Sequence, residues 1–245
     1  VVNILGTLGG TGNLTFGGGN DNLSFTGSTS AIAVNFNDSA GTSGNDQVLL
    51  SNSTVLDLSF ANSNLARVTL SGTSDITGTL TLGNSSIVEL NEFDFSNNNL
   101  DFLTPIALGG GNDTLIISGV TSGSLPSLTG FETYSQTSTG TWNLGAGGLA
   151  VNTEANITNG TLNLNGNTFT VPTLNISSTL SGSGTVAGNL VFAAGSTLNM
   201  TANNSAGTFS SSHVNATSAI HNGIASVTLN SDTFIKNGDS ALVLT

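Results

Sequence analysis

Short runs that alternate apolar and polar residues recur along the chain. Examples are Asn13-Leu14-Thr15-Phe16, Ala31-Ile32-Ala33-Val34-Asn35-Phe36, Thr54-Val55-Leu56-Asp57-Leu58-Ser59-Phe60, Thr79-Leu80-Thr81-Leu82 and Thr161-Leu162-Asn163-Leu164. A period of two puts the apolar side chains on one face of a β-strand and Thr, Asn or Ser on the other. Gly, Asn and Ser turns bound each run. Lys, Glu, Gln and Arg are scarce while β-branched and turn residues abound, so no helix is predicted.

Internal similarity narrows the all-β options. Gly-Gly-Gly-Asn-Asp occurs at 17–21 and 109–113, and Ser-Gly-Asn-Asp at 43–46. Each precedes a strand-like run: Asn22-Leu23-Ser24-Phe25, Gln47-Val48-Leu49-Leu50 and Thr114-Leu115-Ile116-Ile117. The same turn before the same strand marks stacked coils. The predicted fold is an all-β parallel β-helix (β-solenoid), with roughly 20 to 25 residues per rung and about ten rungs, about 50 Å long at the usual strand spacing. A β-sandwich would show more two-residue Asn-Gly-type hairpin turns.

The rungs are expected over residues 1–204, with an irregular region at about 91–126 that holds two of the three prolines, Pro105 and Pro126. A Ser/Asn/Gly-rich stretch opens the segment 205–245, which is expected to cap the last rung and hide its open edge.

Composition then removes whole classes of function. Lys and Arg total 2 against 14 Asp and Glu, for a formal net charge of −12. Two cations cannot neutralise a phosphate backbone, so a nucleic-acid partner is excluded. An anionic membrane surface is disfavoured for the same reason, and no stretch has the run of apolar residues a membrane helix needs, so no membrane insertion by this chain is expected. Cysteine is absent, which excludes disulfides and thiolate metal sites. Charged residues are 7%, against about 25% in ordinary domains. Amides and hydroxyls therefore solvate the surface, a profile that suits an exported protein. The start, Val1-Val2-Asn3-Ile4-Leu5-Gly6, lacks the basic region of a signal peptide and reads as a mature or excised piece of something longer.

Four features are candidates for chemistry. The Gly-Asn-Asp turns match half of the nonapeptide calcium repeat, which makes Asp21, Asp46 and Asp113 candidate calcium ligands. Calcium takes six to eight oxygens, supplied in such a roll by adjacent coils. The copies are not tandem, so most are expected to lack a partner; the plainer role is turn formation by Asn, Asp and Gly. No other cofactor is expected. Glu89, Glu92, Asp94 and Asp101 form an acidic cluster that could supply a pair of glycosidase carboxylates. Nothing in the sequence ties the lone Arg67 to them, and a solvated loop is the simpler reading. His213 and His221 show no third metal ligand and no nucleophile nearby. Tyr134 and Trp142 could stack a sugar, but a single Trp in a solenoid is more often core. On the polar strand faces, Thr79, Thr81, Thr161 and Asn163 stand in outward ladders suited to lateral association. Thr-x-Thr arrays of the ice-binding kind are not seen to recur at one rung period.

Residues 179–200 read Thr-Leu-Ser-Gly-Ser-Gly-Thr-Val-Ala-Gly-Asn-Leu-Val-Phe-Ala-Ala-Gly-Ser-Thr-Leu-Asn-Met. This resembles the passenger-domain repeat of Gram-negative autotransporters (type V secretion), in which Gly182, Gly184, Gly188, Gly195 and Leu198 match in order. Weaker versions stand at 145–149 and 159–162. The stretch from Val227 to Leu244 resembles the pertactin-like C-terminal segment of such passengers, which stacks on the helix and helps nucleate folding outside the cell. The resemblance covers about 140–245. It implies a right-handed β-helix, secreted or held on the bacterial cell surface, exported through an outer-membrane barrel that is not in this chain. The function expected is non-enzymatic: adhesion or self-association, with a host or neighbouring-cell surface, or a copy of itself, as partner. The alternatives are a structural subunit of an extracellular filament, sheath or S-layer, and a polysaccharide-acting β-helix enzyme.

Overall fold

The computed structural model describes residues 1–8, 12–38, 44–60, 63–94, 108, 110–205, 208–211, 213–222 and 226–230. Among these, every regular element is a β-strand. Among the described residues, the strand pairs with a defined register are parallel except where Thr197–Ser205 meets Thr208–Ser211. The chain is a parallel β-solenoid, and it divides into two compact units: 1–121 with 130–133, and 122–129 with 134–245.

The first unit holds three sheets. The first sheet stacks Val2–Leu5, Asn22–Thr26, Asn45–Ser51, Leu65–Gly72, Ser86–Phe93 and Thr114–Ser118. The second stacks Asn13–Phe16, Ala33–Phe36, Asp57–Ser59 and Leu80–Thr81, and the third pairs Thr54–Val55 with Asp75–Ile76. The register aligns the inward apolar residues in columns. Leu23, Val48, Val68, Val88 and Leu115 form one, and Phe25, Leu50, Leu70, Leu90 and Ile117 another. All ten are buried, and burial of each such side chain is worth about 1.5 to 3 kcal/mol against exposure. On the second sheet Phe16, Phe36 and Phe60 stack face to face, with centroids 4.9 and 4.6 Å apart and planes within 12° and 5°.

The run 54–60 departs from the expected single strand. It is two strands, Thr54–Val55 and Asp57–Ser59, with Leu56 half-exposed at the corner between them. Val55 and Leu58 both point inward, three positions apart, so the chain must turn between them. A window of alternating residues does not show that turn.

The second unit is built from two sheets. Long strands Leu149–Ile157, Thr168–Ile176, Gly184–Phe192 and Val214–His221 form one; Gly123–Leu125, Thr141–Leu144, Thr161–Asn163, Thr179–Ser181 and Thr197–Ser205 form the other. The long strands share a register shift at one level, between Ala150 and Glu154, Thr170 and Thr173, and Val186 and Asn189. Pro172 sits in that shift, where its missing N–H breaks no regular ladder bond. Gly188 sits there too. A Cβ on it would stand 1.6 Å from the Val171 carbonyl oxygen of the neighbouring coil, so this approach needs glycine.

Coil length varies more than the sequence suggests. Bonded neighbours on adjacent coils are 25 residues apart at Asp21 and Asp46, 20 at Asn143 and Asn163, 18 at Gly160 and Ser178, and 29 at Asn189 and Ser218. Much of the expected irregular region, 95–107, lies outside the described residues. So does most of the expected cap. Its described strands Val214–His221 and Ser226–Asn230 continue the parallel ladders on Gly184–Phe192 and Thr197–Ser205.

Candidate functional site

The Gly-Asn-Asp turns lie in the first unit, all leading into its first sheet. The register places Asp21 beside Asp46, and Asp113 two coils on from the Ala66 that follows Asp46. The copies at 21 and 46 are therefore neighbours, because 25 residues is one coil there. This corrects the expectation that non-tandem copies lack partners; a variable coil length hid the adjacency. The coils are tightly apposed at this turn: a Cβ on Gly44 would meet the Gly19 carbonyl oxygen at 1.6 Å.

Asp46 is 1% exposed. Its Oδ1 accepts the Asp21 N–H at 3.0 Å, and its Oδ2 accepts the Ser63 hydroxyl at 2.5 Å. Burial pushes its carboxyl above the ordinary value, assisted by the charges of Asp38 and Asp21 and opposed by those two hydrogen bonds. Asp38, also buried, accepts the Gly44 N–H at 2.6 Å through Oδ2. The Asn20 side chain accepts the Asn45 N–H at 2.8 Å. Each of these bonds ties one stretch of a turn to another.

Asp113 is likewise 1% exposed, and its pKa is pushed up to about 6, first by burial and then by the nearby Glu132 charge. The Asp113 N–H donates to Glu132 Oε2 at 2.7 Å, and the Glu132 N–H donates to the Asp113 carbonyl at 2.9 Å. Asp113 thus stands apart from Asp21 and Asp46. Among the described residues, no group of three or more His, Asp or Glu side chains is arranged to hold a metal ion. Asp46 bonds coil to coil through its carboxylate, and Asp21 and Asp113 do so through their N–H groups. Asp38 and Glu132, their acidic neighbours, escaped the sequence reading because neither lies in a Gly-Asn-Asp turn.

The acidic cluster is also tied to coil stacking. Glu89 Oε2 pairs with Arg67 at 2.5 Å, and its Oε1 accepts the Ser118 hydroxyl at 2.9 Å. Arg67 is thus joined to the cluster, contrary to expectation, because position 67 sits one coil back on the same outer face. Glu92, held at a φ of 49°, accepts the Val120 N–H at 3.0 Å. The Asp94 N–H donates to the Gly72 carbonyl at 2.8 Å, and Asp101 lies outside the described residues.

Tyr134 and Trp142 are fully buried in the second unit, so neither presents a face for a sugar. Tyr134 donates to Gln136 Oε1 at 3.1 Å and meets Phe169 edge-on at 5.9 Å, and burial pushes its phenol pKa up. His213 is exposed, and the side chain of His221 lies outside the described residues.

The outward ladders are regular in the second unit, though not as Thr-x-Thr. In the second unit Thr141, Thr161, Thr179 and Thr197 occupy one register position on successive strands. Two residues along each strand, Asn143, Asn163, Ser181 and Asn199 occupy another. A Thr-x-Asn/Ser array does recur once per coil. Uneven coil length concealed it in the sequence. In the first unit Thr79 is instead bonded across a coil, its hydroxyl and N–H both donating to Asp57 Oδ1 at 2.9 and 2.8 Å.

No family model, curated protein or solved structure matches this chain. Among the described residues no helix is long and apolar enough to cross a membrane.

Proposed function

We propose that this chain is part of a secreted or cell-surface β-solenoid of the autotransporter-passenger type, acting without catalysis in adhesion or self-association. The observation that carries the reading is where the polar side chains are spent. Asp46, Glu89, Glu92, Asp57 and Glu132 each accept hydrogen bonds that tie coils or turns together. Such side chains build a rigid scaffold, and the outward ladders of hydroxyls and amides are what that scaffold offers to a partner. Recognition by a preformed surface avoids the ordering cost a flexible segment pays on binding.

The glycine pattern that resembles the passenger repeat has a physical basis here. Gly188 makes the close coil approach described above. Gly182 holds a φ of 76° beside the Asn163 side chain. Leu198 is buried in register with Leu180. Export followed by folding from a C-terminal segment on the far side of the membrane fits a chain with few charges and no cysteine.

The test is the coding sequence beyond Thr245. A following domain of ~ten-residue alternating strands with aromatic girdles, the pattern of an outer-membrane barrel, supports the passenger reading. A stop codon, or an unrelated anchoring domain, overturns it.

A further inference from the structure

We infer that the outer face of the first sheet holds a binding site for one uncharged sugar ring, the terminal hexose of a glycan, an inference that rests on the adhesion reading above. The site is an open cavity of about 240 Å³ on three adjacent strands, Asn22–Thr26, Asn45–Ser51 and Leu65–Gly72. Their register sets two outward columns side by side: Asn22, Gln47 and Arg67, and Ser24, Leu49 and Thr69. Leu49 stands on the middle strand and is 42% exposed. It makes an apolar spot bordered by two amides, two hydroxyls and a guanidinium.

The polar groups around it are not spent on the fold. Farther along the same face, the Asn91 amide donates to the Ser118 hydroxyl, and Ser118 donates to Glu89, coil to coil. Among the described residues, the side chains of Asn22, Ser24, Gln47 and Thr69 join no such bond. Arg67 donates to Glu89 through Nη2. A guanidinium has five N–H donors, so Arg67 keeps others for a ligand.

Charge and size select the ligand. Glu89 balances Arg67, and the chain as a whole carries −12, so an anion gains little at this cavity. A cation would meet the guanidinium. Amides and hydroxyls both donate and accept, which suits a ligand whose hydroxyls do the same. A sugar ring adds an apolar C–H face to lie on Leu49. Sites for drug-sized ligands hold roughly 300 to 1,000 Å³. This cavity is smaller and fits one ring. Such a contact binds weakly, with a Kd on the order of 1 mM. Many copies on one surface supply the avidity that adhesion needs.

The test titrates the isotope-labelled chain with D-glucose, D-galactose, D-mannose, N-acetyl-D-glucosamine and, as the anionic comparison, D-glucuronate, read by NMR shifts of the backbone amides. Saturable shifts centred on Gln47 and Leu49 are expected with at least one neutral sugar. Gln47→Ala with Leu49→Thr is expected to weaken that binding about tenfold, and Thr168→Ala with Thr170→Ala, on the second unit, to leave it unchanged. Circular dichroism checks folding. Asn22→Ala, which leaves the middle strand untouched, is expected to weaken binding several-fold and decides the matter should the double variant unfold. No saturable shift with any neutral sugar, shifts centred elsewhere, or tighter binding of glucuronate overturns the site. Cells that display the chain and attach to host cells although no neutral sugar binds overturn the site and leave adhesion standing. A sugar that binds as expected, to a chain whose displaying cells do not attach, overturns adhesion and leaves the site standing.

Discussion

The Asn163 amide donates to the Asn143 side-chain oxygen one coil back, at 2.8 Å, while its own side-chain oxygen accepts the Asn165 N–H at 3.0 Å. The side chain thus links two coils and shapes the turn that follows. Asn163→Ala removes both bonds and is expected to cost ~1 to 2 kcal/mol. Chemical denaturation checks this. Asn163→Asp should restore the turn bond but not the coil-to-coil donor, and recover only part of the loss.

Asp113 gives the first unit a pH dependence of defined sign. Its pKa is about 6 when folded against 3.8 as the ordinary value, so the folded chain binds the proton more tightly. Stability is therefore greatest at acid pH for this group and falls as pH rises from about 4 to about 6. Asp113→Asn is expected to flatten that fall and raise the melting temperature at pH 7 by a few degrees. Melting curves from pH 4 to 8 decide it, and stability that rises across this interval because of Asp113 would refute the assignment.

Gly188→Ala places a methyl 1.6 Å from the Val171 carbonyl oxygen. The coil must shift, at a cost on the order of 1 to 3 kcal/mol. Gly17→Ala, where a Cβ meets nothing within 4 Å, is the control and should leave the denaturation midpoint nearly unchanged.

Phe36 is the middle of a three-ring stack. Phe36→Ala is expected to lose about 3 to 5 kcal/mol, because the rings on either side cannot close the gap across a fixed coil spacing. Phe36→Leu should lose less. Equal losses for the two, by denaturant titration, would show that stacking volume does not matter there.

The all-β coil structure was legible because strand alternation and turn chemistry are local. Leu23, Val48 and Leu115 follow Gly-Asn-Asp turns at the same offset, and all three stack in one column. Partners across coils were less legible, because they depend on coil length, which corners and register shifts change from one coil to the next. The threonine column from Thr141 to Thr197 and the Arg67–Glu89 pair both follow from that register. Asp38 and Glu132 were not legible because neither lies in a Gly-Asn-Asp turn; each is tied to one by a bond that only the fold shows.

Adhesion or self-association by this chain is tested by displaying it on the surface of a bacterium that does not aggregate by itself. Settling of the cells and their attachment to host cells are measured together, with a display scaffold lacking the chain as reference. Faster settling, or attachment above the reference, is expected with no enzymatic treatment of either surface. Cells that stay dispersed and attach no better than the reference, while carrying the folded chain, would contradict it.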